Sequence, residues 1–397
     1  MYKFMVFKGR SQYNVLSLGS EGIVSGAQEL GHTALTIDMN LIDSQHYLSI
    51  VDDFKPDFTI GLNPTCYYYE DKMLHYNKTK VPHLILLGDS PHYHVYNRSL
   101  DNPNDALVHS IVFEKPYIQD FLDYGVQNVS FKKLISSAPS YKINFENKIY
   151  PLVFFGTYIE EQKILFEIEN LSLDKQFKKT LVELISEIHY FIETNLTILP
   201  DRLSTYIREY VKISLSINNK EIENKLVKLY FPFVDKYYNS LIRRKVLTSF
   251  AEVGIPMIVF GSNDTEKLLA KYPNVKVKQP VHYIEHFSII AHSKINLNIT
   301  PTKFSMHERI PNTLMNSTLL CTNLMPNLFE NYPEILDSSI IYNLDNLQET
   351  AQLLKEIMEN KSMYNEIVFR GLDLAKREFT FEKEMDFIIK TFEGKYK

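Results

Sequence analysis

Two Rossmann-like α/β domains facing a cleft, with a helical insert between them, are the fold class this chain predicts. Three observations predict it. Strand and helix signals alternate over the first 150 residues, the alternation resumes after residue 253, and about 160–252 carries little strand signal. Strict β-then-α order argues for parallel sheets with right-handed crossovers.

The first alternating block has strand candidates at Tyr2–Phe7, Thr33–Asp38, Asp57–Leu62, His83–Leu87, Leu107–Phe113 and Asn128–Phe131. Helical stretches lie between them at Glu21–Leu30, Ser44–Phe54, Tyr67–Tyr76 and Pro116–Tyr124. Gly31 and Gly125 follow helix ends, where a left-handed backbone is common. A strand at Tyr150–Phe155 leads into Gly156 and Thr157. The segments LVELISEIHYFIET and KLVKLYFPFVDKYYNSLIRRKVLTSF then carry apolar residues at helical spacing, with Pro200 and Pro232 as interruptions. The second block has strands at Pro256–Phe260, Val275–Val277, Lys294–Ile299, Thr318–Thr322 and Ser339–Asn343. Its helices fall at 264–271, 283–292, 309–317, 346–359 and 361–376. The boundaries are therefore an amino-terminal domain over 1–149, a strand and helical insert over 150–252 and a carboxy-terminal domain over 253–376. A last helix over 377–397 crosses back to the first domain.

Composition narrows the function. The 397 residues are 45% hydrophobic, enough for two cores, and the formal net charge is −5. That balance points to no nucleic-acid partner. The chain has no tryptophan but 26 Tyr and 25 Phe, as an AT-rich genome would produce. Cys66 and Cys321 are far apart in apolar or aromatic settings and read as reduced thiols. MYKFMVFKGR turns polar too soon for a signal peptide, and no apolar run reaches the roughly 20 residues of a membrane span. The expectation is a cytoplasmic protein without a transmembrane segment. A homo-oligomer is left open.

The motifs point to the carboxyl ends of strands. GSEGIVSG, with Gly19, Gly22 and Gly26, lacks the G-x-G-x-x-G spacing of a dinucleotide site, which removes the main support for a dehydrogenase. There is no Walker A lysine and no G-x-S-x-G elbow. After the first strand come Arg10, Ser11, Gln12, Tyr13 and Asn14, facing the expected cleft. LLGDSPHYH puts Asp89 and His92 or His94 at another strand end, as a candidate general base or as a plain Asp-Ser-Pro turn. His83, His92 and His94, or His282 and His286, are weak metal candidates without the H-E-x-x-H pattern.

Residues 294–323 carry the strongest signal. A strand enters the polar loop TPTKFSMHER, and a helix from about Glu308 to Ser317 follows. The loop and first helical turn gather Thr302, Lys303, His307, Glu308, Arg309 and Asn312. An arginine with helix N-terminal N–H groups is a pyrophosphate clamp. Exposed N–H groups at Val281, His282 and Tyr283 are placed to read a nucleobase edge.

Four blocks in order resemble the nucleotide-sugar domain of GT-B glycosyltransferases, specifically the bacterial CgeB-like (spore-maturation protein) group. PLVFFGTYIEEQKILFEI resembles that group's FVGS strand and loop, MIVFGSND its VYG strand, VHYIEHFSIIAHSKINLNIT its SKI.LN stretch, and ERIPNTLMNSTLLCTN its RVFEALACGALLLTD block. LLGDSPHYH and HSIVFEKPYIQDFLDYGVQNVSFKKL resemble its amino-terminal domain. The resemblance implies transfer of a sugar, of the hexosyl or N-acetylhexosaminyl type, from a nucleoside-diphosphate donor, most simply a UDP-sugar. The acceptor is unknown: a protein, glycan or small molecule. It implies donor binding by Gly156, Thr157, Gly261, Ser262, Val281, His282, Tyr283, Thr300, His307, Glu308, Arg309, Ile310, Asn312 and Thr313. Acceptor binding falls to Arg10, Gln12, Tyr13 and Asn14, and catalysis to Asp89 or His92 if the configuration inverts. No cofactor and no obligatory metal are implied. Two departures stand out. Asn312 replaces the glutamate that holds the ribose, and no arginine follows the FVGS-like block, Lys163 being the nearest cation. A degenerate, non-catalytic binding or scaffolding protein is the alternative.

Overall fold

The computed structural model describes residues 1–9, 15–63, 75–95, 105–132, 141, 143–194, 202–302 and 306–397. Two compact units emerge: Met1–Pro139 with His282–Ile284 and Ala375–Lys397, and Ser140–Val281 with Glu285–Leu374.

The first unit is built on one parallel sheet. Its elements in chain order are β1 (Lys3–Phe7), α1 (Val15–Glu29), β2 (Thr33–Ile37), α2 (Ser44–Phe54), β3 (Phe58–Leu62), α3 (His75–Thr79), β4 (His83–Leu87), α4 (Pro91–Val95), β5 (Val108–Val112), α5 (Pro116–Asp123) and β6 (Val129–Phe131). The spatial order is β2-β1-β3-β4-β5-β6, all parallel. Strands β3, β4 and β5 are buried throughout, as a sheet covered on both faces requires. Gly31 and Gly125 lie at φ 79° and 81°, closing α1 and α5 as expected.

One helix start differs from expectation. α1 begins at Val15 rather than Glu21, so Gly19 lies in the helix together with Gly22 and Gly26. The last helix of the chain explains two of them. A methyl group on Gly22 would sit 2.1 Å from the Phe381 ring, and one on Gly26 would sit 2.5 Å from the Phe381 backbone. The glycines let two helices approach, and nothing about them serves a nucleotide.

The second unit holds β7 (Tyr150–Phe155), α6 (Glu161–Glu169), α7 (Lys175–Glu193), α8 (Leu203–Leu215), α9 (Lys220–Glu252), β8 (Met257–Phe260), α10 (Asn263–Leu269), β9 (Val275–Lys278), α11 (Tyr283–Ala291), β10 (Ser293–Asn298), α12 (Arg309–Met315), β11 (Leu319–Asn323), α13 (Pro326–Asn331), β12 (Ser339–Tyr342) and α14 (Leu347–Glu359). Helix α15 (Lys361–Glu378) and helix α16 (Phe381–Tyr396) end the chain. The sheet order is β12-β11-β10-β7-β8-β9, again all parallel. The apolar face of the sheet and the helices α6–α9 share one core, including Leu152, Phe154, Ile295, Leu297, Leu181, Ile188, Tyr230 and Leu247.

Pro232 does not interrupt the helical segment. It lies inside α9, which runs unbroken for 33 residues. A proline inside a helix removes one backbone hydrogen bond and costs about 3 kcal/mol. Buried Val227, Tyr230, Phe231, Val234 and Tyr237 on both sides of it outweigh that loss. Pro200 lies outside the described residues. Helix α13 had no counterpart among the expected elements.

Helix α16 lies along α1 in the first unit. Phe392 stacks on Phe58 at 4.4 Å, and the buried Lys132 and Glu384 pair at 2.5 Å. Removing either charge would strand the other in a dry site.

Candidate functional site

Sheet order locates the site. In the second unit β7 comes first in sequence, yet β8 lies on one side of it and β10 on the other. The strand order reverses there, and a ligand settles in the crevice beyond the carboxyl ends of such a strand pair. The residues at those ends are Gly156 and Thr157 after β7 and Thr300 after β10.

Gly156 donates its N–H to the Phe260 carbonyl at 3.1 Å, and Thr157 is exposed. Gly261 packs on Thr265, whose hydroxyl would lie 2.7 Å from an added Cβ. Ser262 precedes α10 and donates to the Tyr158 carbonyl at 2.9 Å. Thr300 donates its N–H to Asn323 Oδ1 at 3.0 Å, which ties the end of β10 to the end of β11.

Arg309 opens α12 and is half-buried. His307 Nδ1 lies 3.0 Å from Glu308 Oε2. Burial tends to raise the Glu308 carboxyl, but His307 and Arg309 overcome it and hold the group at about 2. His286 on α11 is lowered to about 4, first by burial and then by Arg309, so it is neutral where it stacks on Phe155 at 4.2 Å.

Arg243 is the residue that sequence reading missed. It lies in the carboxy-terminal part of α9 and donates from Nη1 to the Thr157 carbonyl at 2.6 Å. Its Nε is enclosed and makes no hydrogen bond among the described residues. Burial lowers its pKa to about 10, and Arg309 adds to the shift. The two guanidinium groups thus lie within electrostatic reach of each other near the reversal point. Lys163 is not the missing cation, because Asp264 binds it at 2.5 Å.

Other candidates fall elsewhere. Ile310 and Thr313 are fully buried and Asn312 is 2% exposed, so they lie beneath α12 rather than at its open end. Val281 belongs to the second unit, while His282 and Tyr283 are counted with the first. Arg10, Gln12, Tyr13, Asn14, Lys303, Cys66 and the side chain of His94 lie outside the described residues.

In the first unit Asp89 is exposed just past β4, and Asn63 Nδ2 donates to its Oδ2 at 3.1 Å. His92 is fully buried. Its Nδ1 is 2.7 Å from the Tyr124 hydroxyl and its Nε2 is 3.5 Å from Asp120, so it holds α4 against α5 and faces no solvent. His83 is also buried, 2.8 Å from the Thr59 hydroxyl and pushed well below its ordinary pKa by burial. Cys321 is free and buried. Among the described residues no group of three His, Cys, Asp or Glu side chains is placed to hold a metal ion. No helix among them is long and apolar enough to cross a membrane.

Residues 243–390 match a family model described as glycosyl transferase-like. That match begins at Arg243. The whole chain is similar in fold to solved GT-B glycosyltransferases. An α-glucosyltransferase in complex with UDP and a 13-mer DNA containing an HMU base aligns at a TM-score of 0.56 with 9% identity, over 98% of this chain and 99% of that one. Sucrose-phosphate synthase of Thermosynechococcus elongatus aligns at 0.53 with 7% identity, over 99% and 100%. Anabaena HepE in complex with UDP-glucose aligns at 0.52 with 9% identity, over 99% and 100%. The chain spans 54% of the length of TarM, at a TM-score of 0.44. No curated protein sequence matches. The class defined by the fold is therefore the two-Rossmann GT-B type.

Proposed function

We propose that the protein is a glycosyltransferase that takes a sugar from a nucleoside-diphosphate donor, most simply a UDP-sugar, in the cytoplasm. The observation that carries this reading is the Arg243–Arg309 pair flanking the strand-order reversal. Like charges brought together cost free energy, and a dianionic diphosphate between them turns that cost into attraction. The enclosed Nε of Arg243 is a donor in want of an acceptor. The family match over 243–390 and the UDP complexes among the structural neighbours support the same reading.

In this reading the two arginines neutralise the diphosphate without an obligatory metal. Gly156 permits close approach at the end of β7, and Asp89 in the first unit receives the proton of the acceptor hydroxyl. The order of the matching blocks favours the CgeB-like group. A second reading, a binding protein without transferase activity, is favoured by Asn312, which stands buried where the group has its ribose-binding glutamate.

A thermal-shift screen against UDP, GDP, TDP, CMP and ADP, with and without EDTA, tests the donor site. Stabilisation by one diphosphate that survives EDTA supports it; no shift with any of them sinks it. Slow release of free sugar from UDP-glucose separates the enzyme from the binding protein.

A further inference from the structure

Asn296 is a residue that stability alone would not choose. It stands in the middle of β10, with Val153 of β7 on one side and Leu320 of β11 on the other, and is fully buried. Central strands of parallel sheets ordinarily read as apolar runs. A buried amide costs free energy unless both of its ends are paired. Here one end is paired. Nδ2 donates to Thr313 Oγ1 at 2.6 Å, and Oδ1 has no partner among the described residues.

The Thr313 hydroxyl sends its own proton onward, to the carbonyl of Arg309 at 2.5 Å. A directed relay therefore runs from the centre of the sheet, through Thr313, to the first residue of α12. That helix has seven residues. So short a helix has no stability of its own, and its placement depends on what ties it down. Asn298, two residues along the same face of β10, does similar work for the neighbouring loop. Its Nδ2 donates to Thr300 at 3.1 Å and to Thr322 at 2.9 Å, and its Oδ1 is likewise unpaired.

We propose that Asn296 is a positioning residue for donor binding. Through Thr313 it sets the rotation of the first turn of α12 and so aims the Arg309 guanidinium. The inference rests on the reading of Arg309 as a diphosphate ligand. An apolar side chain at 296 would pack the sheet better and leave no unpaired oxygen, but α12 would lose its tether.

The test uses the full chain, with UDP and inorganic pyrophosphate as probes in calorimetry. The ligand-free melting temperature is measured in parallel. Asn296→Val and Thr313→Val should each weaken both probes about tenfold. The melting temperature should hold or rise in Asn296→Val, and fall in Thr313→Val, which leaves the buried Asn296 amide without its acceptor. The double variant should be no weaker than either single one, because both cut the same relay. Thr313→Ser keeps the hydroxyl and should bind within twofold of the unaltered protein. Unchanged affinity in either Val variant overturns the relay, as does an additive loss in the double variant. If the unaltered protein binds neither probe, the diphosphate reading itself fails and the relay goes with it.

Discussion

Asn63 holds Asp89 from a backbone conformation that few residues adopt. Its φ is +54°, its Nδ2 donates to Asp89 Oδ2 at 3.1 Å, and its Oδ1 accepts the Gly88 N–H at 3.2 Å. Among the described residues four other non-glycine residues have positive φ, and Lys55, Lys80, Ser216 and Ser317 each follow a helix end. Among the described residues Asn63 alone follows a strand. Asparagine tolerates this region better than most side chains. A fixed carboxylate just past a strand end is the arrangement a proton acceptor needs. Asp89→Asn is expected to slow sugar release from UDP-glucose by about 100-fold or more with UDP affinity unchanged, and Asn63→Ala by a smaller factor. A normal rate in Asp89→Asn rules the role out.

Arg243→Gln and Arg309→Gln should each weaken UDP at least about tenfold, the loss of a charge-assisted hydrogen bond worth about 1.5–3 kcal/mol. Arg243→Gln should also leave the ligand-free protein about as stable as before, since relief of burial and of the repulsion with Arg309 offsets the lost hydrogen bond to the Thr157 carbonyl. Titration calorimetry and melting curves check both halves. Full UDP affinity in Arg243→Gln would remove α9 from the site.

Two glycines separate helix propensity from packing. Alanine in place of glycine within a helix normally gains about 1 kcal/mol. At Gly394 nothing lies within 4 Å of the new methyl, so Gly394→Ala should stabilise by up to about that amount. At Gly26 the methyl meets the Phe381 backbone at 2.5 Å, which cannot swing away as a side chain would. Gly26→Ala should therefore destabilise by about 1–3 kcal/mol. Urea unfolding of the two variants gives the signs directly.

His109 predicts an acid-sensitive fold. It is 1% exposed, its Nε2 is 2.9 Å from the Ser130 hydroxyl, and burial, with a lesser push from Lys395, lowers its pKa from 6.5 to about 4. Between those values the unfolded chain binds a proton that the folded chain refuses. The stability is therefore intact above pH 6.5 and is lost as pH falls toward 4, by about 3 kcal/mol for this one group. In His109→Gln the stability curve should be flatter across that window. An unchanged slope would assign the acid sensitivity to other groups.

The candidate site was legible where its signal was local. Arg309 follows a polar loop at a strand end, and both facts lie within one stretch of sequence. Arg243 was hidden, because its partner Thr157 lies 86 residues away and the intervening helices read as an insert. The resemblance implies Ile310 and Thr313 as donor ligands alongside Arg309, but both side chains are fully buried, and Thr313 meets Asn296 of β10. His92 matched a base by type and position, yet Tyr124 and Asp120 of the neighbouring helix enclose it.

The sequence by itself determined the two alternating α/β blocks, the helical segment between them and most strand limits, including Tyr150–Phe155 and His83–Leu87 to the residue. Those features follow from periodicity and turn residues, which act over a few positions. Tertiary structure alone decided the order β12-β11-β10-β7-β8-β9, the placement of Arg243 beside Arg309, and the use of Gly22 and Gly26 against Phe381. Each of these joins residues far apart in the chain, and such contacts depend on how the elements pack rather than on local propensity.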